Sequence, residues 1–335
     1  MQYSTKDKRR ADSIDTILDI AFAFQKSRVV LTACEFEIFS VIGSECFNCE
    51  QIASKIDADK NAVEKLLNAL CGLKLLTKKD GFYSNSPITL KHLVHGSEEF
   101  MGNLEHIAGT WETWSNLSQT IKTGKSLSYN SHIKQGEKWI ENFASAAHWR
   151  AKVEAKDIIK LINFKNVDKI LDLGGGKGAY AKAFAEAKPS TDVTLFEIPQ
   201  VAKYAKDNIV EWGLRDRIKV IEGDFSTDDI GKGYDLIFIS RLLQLYSIWD
   251  NVKLLQKCFD SMKSGGTIVI NDMIIDDSRT SPVQHTLYSI NLLVNTESGE
   301  VYTETDIWVM LREAWFKNIK KIETPYETTI MTGER

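Results

Sequence analysis

The sequence predicts an α/β protein in two parts: a doubly wound parallel sheet in the C-terminal half, preceded by a mainly helical N-terminal domain. Three observations predict it. From about residue 166, short apolar runs alternate with helix-like stretches, the pattern of a parallel sheet covered on both faces. The first of those runs ends in "LGGGKGA", where Gly174, Gly175, Gly176 and Gly178 allow a tight turn and a close backbone approach. Residues 49–87 read as helix, turn, helix and a short hairpin.

The 335 residues exceed what a single core of about 250 to 300 residues usually holds, so two domains are expected. With 42 basic and 46 acidic residues, the net charge of -4 gives no general attraction to nucleic acid or to an anionic membrane. The opening "MQYSTKDKRRADSIDT" has charges but no following signal-peptide core, and no apolar run approaches the roughly 18 to 20 residues of a spanning helix. A cytoplasmic protein is expected. Five scattered cysteines make no disulfide framework, and the single CxxC of Cys46 and Cys49 lacks the second pair a zinc site needs. No metal is expected.

Residues 11–42 carry Ile14, Ile17, Leu18, Ile20, Ala21 and Phe24 at helical spacing, without proline, and read as one or two helices. After Gly43 comes the helix–turn–helix stretch, with Val63, Leu66, Leu67, Leu70 and Leu73 on one stripe and Asp80-Gly81 as the turn of a hairpin. That is a winged-helix pattern. A DNA-reading helix presents Arg, Lys, Asn or Gln to base edges; residues 60–76 offer Lys60, Asn61, Lys65, Asn68 and Lys74 but no Arg. Packing against a second copy, a homodimer, is the alternative. Residues 97–163 look helical again, broken at 122–138, with Trp111, Trp114, Trp139 and Trp149 as core or as pocket aromatics.

The strands of the second half are expected at 169–173, 192–196, 218–221, 235–239 and 267–271. Ligands of such sheets bind beyond the carboxyl ends of the strands. Gly174, Gly176 and Ala179 satisfy the dinucleotide pattern G-x-G-x-x-A, and Glu197 ends the second strand, where a ribose-binding acid belongs. Three features favour another ligand. Asp172 lies at the end of the first strand, where a buried carboxylate disfavours a pyrophosphate and suits a cationic or hydrogen-bond-donating group. A further glycine makes the turn G-x-G-x-G. The third strand ends in "EGDF", placing Asp224 and Phe225 where an adenine could be gripped. These suit S-adenosylmethionine better than a nicotinamide.

"VDKILDLGGGKGAYAKAFAEAKPSTDVTLFEIPQV", "RIKVIEGDF", "YDLIFISRLLQ" and "SMKSGGTIVIND" resemble, in order and spacing, the class I S-adenosylmethionine-dependent methyltransferases. More narrowly, the chain resembles the small-molecule O-methyltransferases with an N-terminal winged-helix dimerisation domain: acetylserotonin, hydroxyneurosporene and polyketide O-methyltransferases, and also the bacteriochlorophyll C-20 methyltransferase. The resemblance implies a Rossmann-like methyltransferase sheet in 161–335, a winged-helix dimerisation domain in 1–95, and helices in 96–160 that wall the acceptor pocket. It implies that Asp172, Gly174, Gly176, Glu197, Ile198, Asp224, Phe225, Ser240 and Arg241 hold S-adenosylmethionine and the product S-adenosylhomocysteine. Trp111, Trp114, Phe143 and Asn291 are expected around a small-molecule methyl acceptor.

The family's usual base is a His after the fourth strand, in a stretch resembling "LHDW"; this chain has "LQLY", with Gln244 at that position. A glutamine amide cannot serve as a general base. His148, His285 and Tyr288 are candidate replacements, and Asp272 falls at the end of the fifth strand, near the expected reacting centre. A later stretch resembling "GKERT" reads "SGEVYT", putting Val301 where an acid is expected. The alternatives are methylation of a carbon nucleophile on a tetrapyrrole-like molecule, a member that binds the cofactor without transferring methyl, a winged-helix transcription factor with a sensor domain, and a dehydrogenase.

Overall fold

The computed structural model describes residues 13–127 and 137–335, and the chain divides into two compact units that meet in sequence between Gly109 and Thr110. The expected helical segment 96–160 is shared between them. Its first part packs in the N-terminal unit and the rest in the C-terminal one. The middle of the expected break, 128–136, lies outside the described residues.

In the N-terminal unit, helices α1 (Ile14–Glu35) and α2 (Ile38–Ile42) are separated at Glu37, whose φ of 51° is left-handed. Strand β1 (Phe47–Asn48) leads into α3 (Cys49–Lys55), started by a capping box in which Asn48 and Gln51 satisfy each other's backbone N–H groups. Asp59 caps α4 (Lys60–Gly72), whose Val63, Leu67 and Leu70 are buried as the stripe predicts. The hairpin of β2 (Leu76–Lys79) and β3 (Phe82–Asn85) turns at Asp80 and Gly81, both at positive φ, and the antiparallel sheet runs β1-β3-β2. Helices α5 (Pro87–His92) and α6 (Asn103–Gly109) follow, α6 packing on α1. Buried Asn85 donates to the carbonyls of Phe39 and Gly43 at 2.8 Å each, closing the end of α2. The first turns of α1 behave differently: Ile14, Ile17, Ile20, Phe22 and Phe24 are exposed.

The C-terminal unit begins with α7 (Trp111–Ser115), α8 (Leu117–Thr123) and the long α9 (Glu137–Lys160). The sheet follows: β4 (Lys169–Leu173), α10 (Ala179–Ala187), β5 (Asp192–Glu197), α11 (Pro199–Glu211), β6 (Ile218–Glu222) and β7 (Tyr234–Ser240). Then come α12 (Ile248–Ser261), β8 (Met262–Asp272), α13 (Val283–Asn295), α14 (Glu304–Glu313), β9 (Lys317–Glu323) and β10 (Thr329–Glu334). The order is β6-β5-β4-β7-β8-β10-β9, parallel as far as β8, with β10 antiparallel to both its neighbours. The five expected strands are present. The last two had no expectation, because "KNIKKIE" reads as a charged surface; its lysines are the kind of charge that blunts a sheet edge. Separate apolar cores cover the two faces, one around Ile237, Ile239 and Leu255, the other around Phe184, Leu195 and Phe238. The chain leaves β4 in one direction and returns at β7 on its other side, so the switch point that makes a crevice lies at the carboxyl ends of β4 and β7. Among the described residues no helix is long and apolar enough to cross a membrane.

Candidate active site

At the end of β4 the backbone makes the site. Gly174 and Gly176 have φ of 71° and 57°, where a side chain would be strained. Gly175 is a glycine for a different reason: a Cβ there would lie 2.7 Å from Oδ2 of Asp172 and 2.8 Å from Leu195. Beyond Gly176 the space is open, with no heavy atom within 4 Å of where its Cβ would be. Glu197, at the end of β5, accepts from the N–H of Gly176 and from that of Ile198, both at 2.8 Å, and ties the loop to its neighbouring strand. Burial raises its pKa, and those two N–H groups oppose the rise. Asp172 is 1% exposed, its Oδ2 has no partner, and burial, with Glu197 nearby, pushes its carboxyl up to about 7. Two acids beneath an open backbone cradle suit a ligand that brings positive charge and hydroxyl or amine donors, so these residues fit S-adenosylmethionine.

Asp224 and Phe225 stand at the end of β6. The Asp224 carboxylate is exposed and accepts from the backbone N–H and hydroxyl of Ser226, at 2.8 and 2.6 Å, while the Phe225 ring meets Tyr246 edge-on at 5.3 Å. The adenine-gripping pair of the sequence reading is thus one acid engaged in its own turn and one aromatic in a second aromatic contact.

Beyond β7 side chains take over. Arg241 has a φ of 52°, a strained conformation for a residue with a side chain, and its N–H donates to the carbonyl of Asn271 at 3.0 Å. Its guanidinium pairs with Glu154 of α9 at 2.8 Å, with both side chains largely buried. Glu154 in turn accepts from the Tyr180 hydroxyl at 3.5 Å, and the amide of Asn271 donates to Tyr180 and to Ser240, each at 3.1 Å. Burial raises the Tyr180 pKa well above the usual phenol range, so it stays protonated. This network joins α9, α10, β7 and β8.

Gln244 lies in a short 3-10 turn and is 3% exposed. Its amide nitrogen donates to the Arg241 carbonyl at 3.3 Å and to the Tyr288 hydroxyl at 3.4 Å, while its amide oxygen has no partner. Asp272 is likewise buried: Oδ1 accepts from the Met273 N–H at 2.9 Å, Oδ2 is unpartnered, and burial pushes the carboxyl up to about 7 against the pull of Arg241. On the far side of Tyr288 along α13, Asn291 accepts from the Trp114 indole N–H at 3.0 Å, bringing together two of the expected acceptor residues. Trp111 and Phe143 are half-buried on α7 and α9.

The candidate bases part company. Tyr288 touches Gln244. His148 instead stacks on Trp212 at 6.3 Å, and it stands about 120° around α9 from Glu154, since six residues correspond to about 600° of helix rotation. Burial, with Lys177, Lys152 and Lys182 around it, pulls its pKa down to about 4. His285 uses Nδ1 against the Ile274 carbonyl at 2.8 Å and lines a separate acidic groove with Asp276, Asp277 and Glu304. Among the described residues Gln244 hydrogen-bonds Tyr288 and neither histidine. Val301, at the position where an acid is expected, is buried among Met273, Ile275 and Leu292. Among the described residues no three His, Cys, Asp or Glu side chains gather as a metal ion requires.

Sequence reasoning missed Glu154, Tyr180 and Asn271, which form the network, and Arg150, one turn before Glu154 on α9. The first two sit in helices with nothing in the local pattern to distinguish them. Asn271 carried a usable signal, a polar residue beside Asp272 at a strand's carboxyl end.

Residues 114–317 match the family model for the O-methyltransferase domain, and residues 18–95 match that for the O-methyltransferase dimerisation domain. The chain is 25% identical over 313 residues to 3-hydroxy-5-methyl-1-naphthoate 3-O-methyltransferase of Streptomyces sahachiroi, covering 91% of this chain and 90% of that protein. It is 26% identical over 330 residues to acetylserotonin O-methyltransferase of Macaca mulatta, covering 92% and 94%. Among solved structures, PigF with SAH superposes with a TM-score of 0.90 at 22% identity, over 96% of this chain and 100% of that one. Human N-acetylserotonin methyltransferase in complex with SAM gives 0.85 at 24% identity, over 100% and 99%; these likenesses show a shared fold. With both family models matched in their proper order, the chain belongs to the O-methyltransferase family, a family of S-adenosylmethionine-dependent methyltransferases.

Proposed function

We propose that this chain works as a homodimeric, S-adenosylmethionine-dependent O-methyltransferase on a small aromatic or heterocyclic acceptor, with Gln244 in place of the family's His. The observation that carries the cofactor half is the pair of acids, buried Asp172 and half-buried Glu197, beneath the open Gly174–Gly176 turn. In this reading Glu197 receives the ribose hydroxyls, the glycines leave room for the methionyl part, and Ile198, Asp224 and Phe225 border the adenine, with Ser240 and Arg241 at the methionyl end. When bound, S-adenosylmethionine supplies a methyl group on a positively charged sulfur and leaves as S-adenosylhomocysteine.

Trp111, Trp114, Phe143 and Asn291 are proposed to surround the acceptor, with the Trp114–Asn291 hydrogen bond fixing two of them. Gln244 orients rather than deprotonates. Holding nucleophile and methyl in line contributes roughly 7 to 11 kcal/mol, and a general base about 10²- to 10⁴-fold in rate, so methyl transfer survives without the His. The dimer is proposed to use exposed apolar side chains of α1, of which Ile20, Phe22 and Phe24 fall within the matched dimerisation domain. Five cysteines scattered along the chain suit a reducing cytoplasm.

A second reading, methylation of nitrogen or carbon, is suggested by Gln244, whose amide cannot take a proton, at the position where the family resemblance expects a His. One relative, OxyT of Streptomyces rimosus, is an N,N-dimethyltransferase, 24% identical over 277 residues. Calorimetric titration of the purified protein with S-adenosylmethionine and S-adenosylhomocysteine, with Glu197→Ala as control, tests the first reading. Binding that the substitution removes is expected; no heat from either ligand sinks it.

A further inference from the structure

Resting on that methyltransferase reading, we propose that the acceptor reaches this site already ionised: Tyr288, Gln244, Arg150 and Arg241 recognise an oxyanion, such as the phenolate of an acidic hydroxyarene, instead of deprotonating a neutral hydroxyl.

The argument starts from hydrogen-bond direction. The Gln244 amide nitrogen can only donate, so in its contact with Tyr288 the phenol oxygen is the acceptor. The Tyr288 proton is then free to point at a third group, and Tyr288 keeps that proton because burial raises its pKa. A hydroxyl so arranged offers a donor to the acceptor and cannot act as a base toward it. The positions where the family resemblance expects a base and an acid hold Gln244 and Val301; His148 stacks on Trp212, and Nδ1 of His285 is engaged with the Ile274 carbonyl.

Charge points the same way. Arg150 and Glu154 are four residues apart on α9 and therefore on one face, and Glu154 is committed to Arg241. Arg150 is half-buried, and among the described residues no carboxylate pairs with it. The charged groups acting on Tyr288 are Arg150 from α9, Arg241 from the end of β7 and Asp272 from the end of β8. Burial pushes the Asp272 carboxyl up to about 7, so it is only partly ionised at neutral pH and opposes an anion less than an ordinary carboxylate does. Two guanidinium groups whose fields reach Tyr288, Arg150 with no carboxylate partner among the described residues, favour negative charge beside its O–H.

The chemistry balances without a base. A lone pair of the acceptor oxyanion forms the new O–C bond while the S–C bond breaks and its electron pair stays on sulfur. The products are a neutral aryl ether and a neutral thioether, and no proton has to be removed.

The test uses 4-nitrophenol, whose phenolate is read by its visible absorbance, with the full-length protein saturated with S-adenosylhomocysteine. The bound probe is expected to ionise about one pH unit or more below the free probe, a tenfold or greater preference for the anion. Arg150→Gln and Tyr288→Phe should each move that midpoint back toward the free value, with S-adenosylhomocysteine binding by calorimetry showing that each variant is folded. A bound probe with an unshifted or raised midpoint, no binding of the phenolate, or a shift that both variants keep overturns the proposal while leaving the methyltransferase reading intact. Failure of the unaltered protein to bind S-adenosylhomocysteine removes both.

Discussion

The turn after β4 and the cluster beyond β7 and β8 lie along the same edge of one sheet, yet they are assembled in opposite ways. The turn is backbone: three consecutive glycines and one strand-end carboxylate, whose bonds to Gly176 and Ile198 span 21 residues and one. The cluster is side chain: Arg241 reaches Glu154 across 87 residues, Gln244 reaches Tyr288 across 44, and Trp114 reaches Asn291 across 177. A backbone cradle accepts one ligand shape and leaves little room for variation. A side-chain wall can be rebuilt one residue at a time with the fold kept.

The largest expected effect breaks the wall. Glu154→Leu leaves the Arg241 guanidinium buried without a partner, and losing one member of a buried pair costs about 3 to 5 kcal/mol. Urea unfolding should show it against Lys263→Ala, which removes the half-exposed pair with Asp235 and is expected to cost far less. Equal losses for the two would mean that the network adds nothing beyond a surface ion pair.

On the cradle side, Glu197→Ala removes the acceptor of two backbone N–H groups as well as the proposed ribose contact. S-adenosylhomocysteine affinity should fall by about a hundredfold, equivalent to about 2.7 kcal/mol. Unchanged affinity would show that the loop holds its ligand without the acid.

Asp172 sharpens the comparison through pH. Its folded pKa, about 7, lies above its ordinary value of 3.8, so between those values the unfolded chain binds fewer protons than the folded one. Its contribution is most favourable below about pH 4 and is lost as pH rises toward 7, by at most about 1.4 kcal/mol per pH unit. Asp172→Asn should flatten that part of the stability profile in the unliganded protein. Asp272, shifted the same way, keeps its own slope, so the double Asn variant should be flatter still. His148 runs opposite: its folded pKa of about 4 lies below 6.5, so its contribution is present above about 6.5 and lost as pH falls toward 4.

The smallest effect concerns Trp114→Phe, which keeps an aromatic ring but removes the N–H that Asn291 accepts. Asn295 still donates to Asn291, so a loss of about 0.5 to 1.5 kcal/mol is expected in thermal unfolding. A larger loss would mean that the indole itself, and not its hydrogen bond, holds α7 against α13.

By itself the sequence determined the alternation of strands and helices, the glycine turn after β4, the acid at the end of β5 and the Asp80-Gly81 hairpin. Each is a local event: a run of apolar residues, a turn that only glycine makes easily, or a residue a fixed number of positions along the chain. It also exposed the replacement of the expected His by Gln244, because that position is counted from neighbouring motifs. Only the tertiary structure decided that Glu154 neutralises Arg241, that Tyr288 rather than either histidine meets Gln244, and that Arg150 stands unpaired among the described residues. Strands β9 and β10 belong to the same class, since the pairing of β10 with β8 and of β9 with β10 outweighs the charged sequence of β9. The physical reason is shared: periodicity records which face of an element is apolar, whereas a polar contact between distant segments depends on how those segments pack.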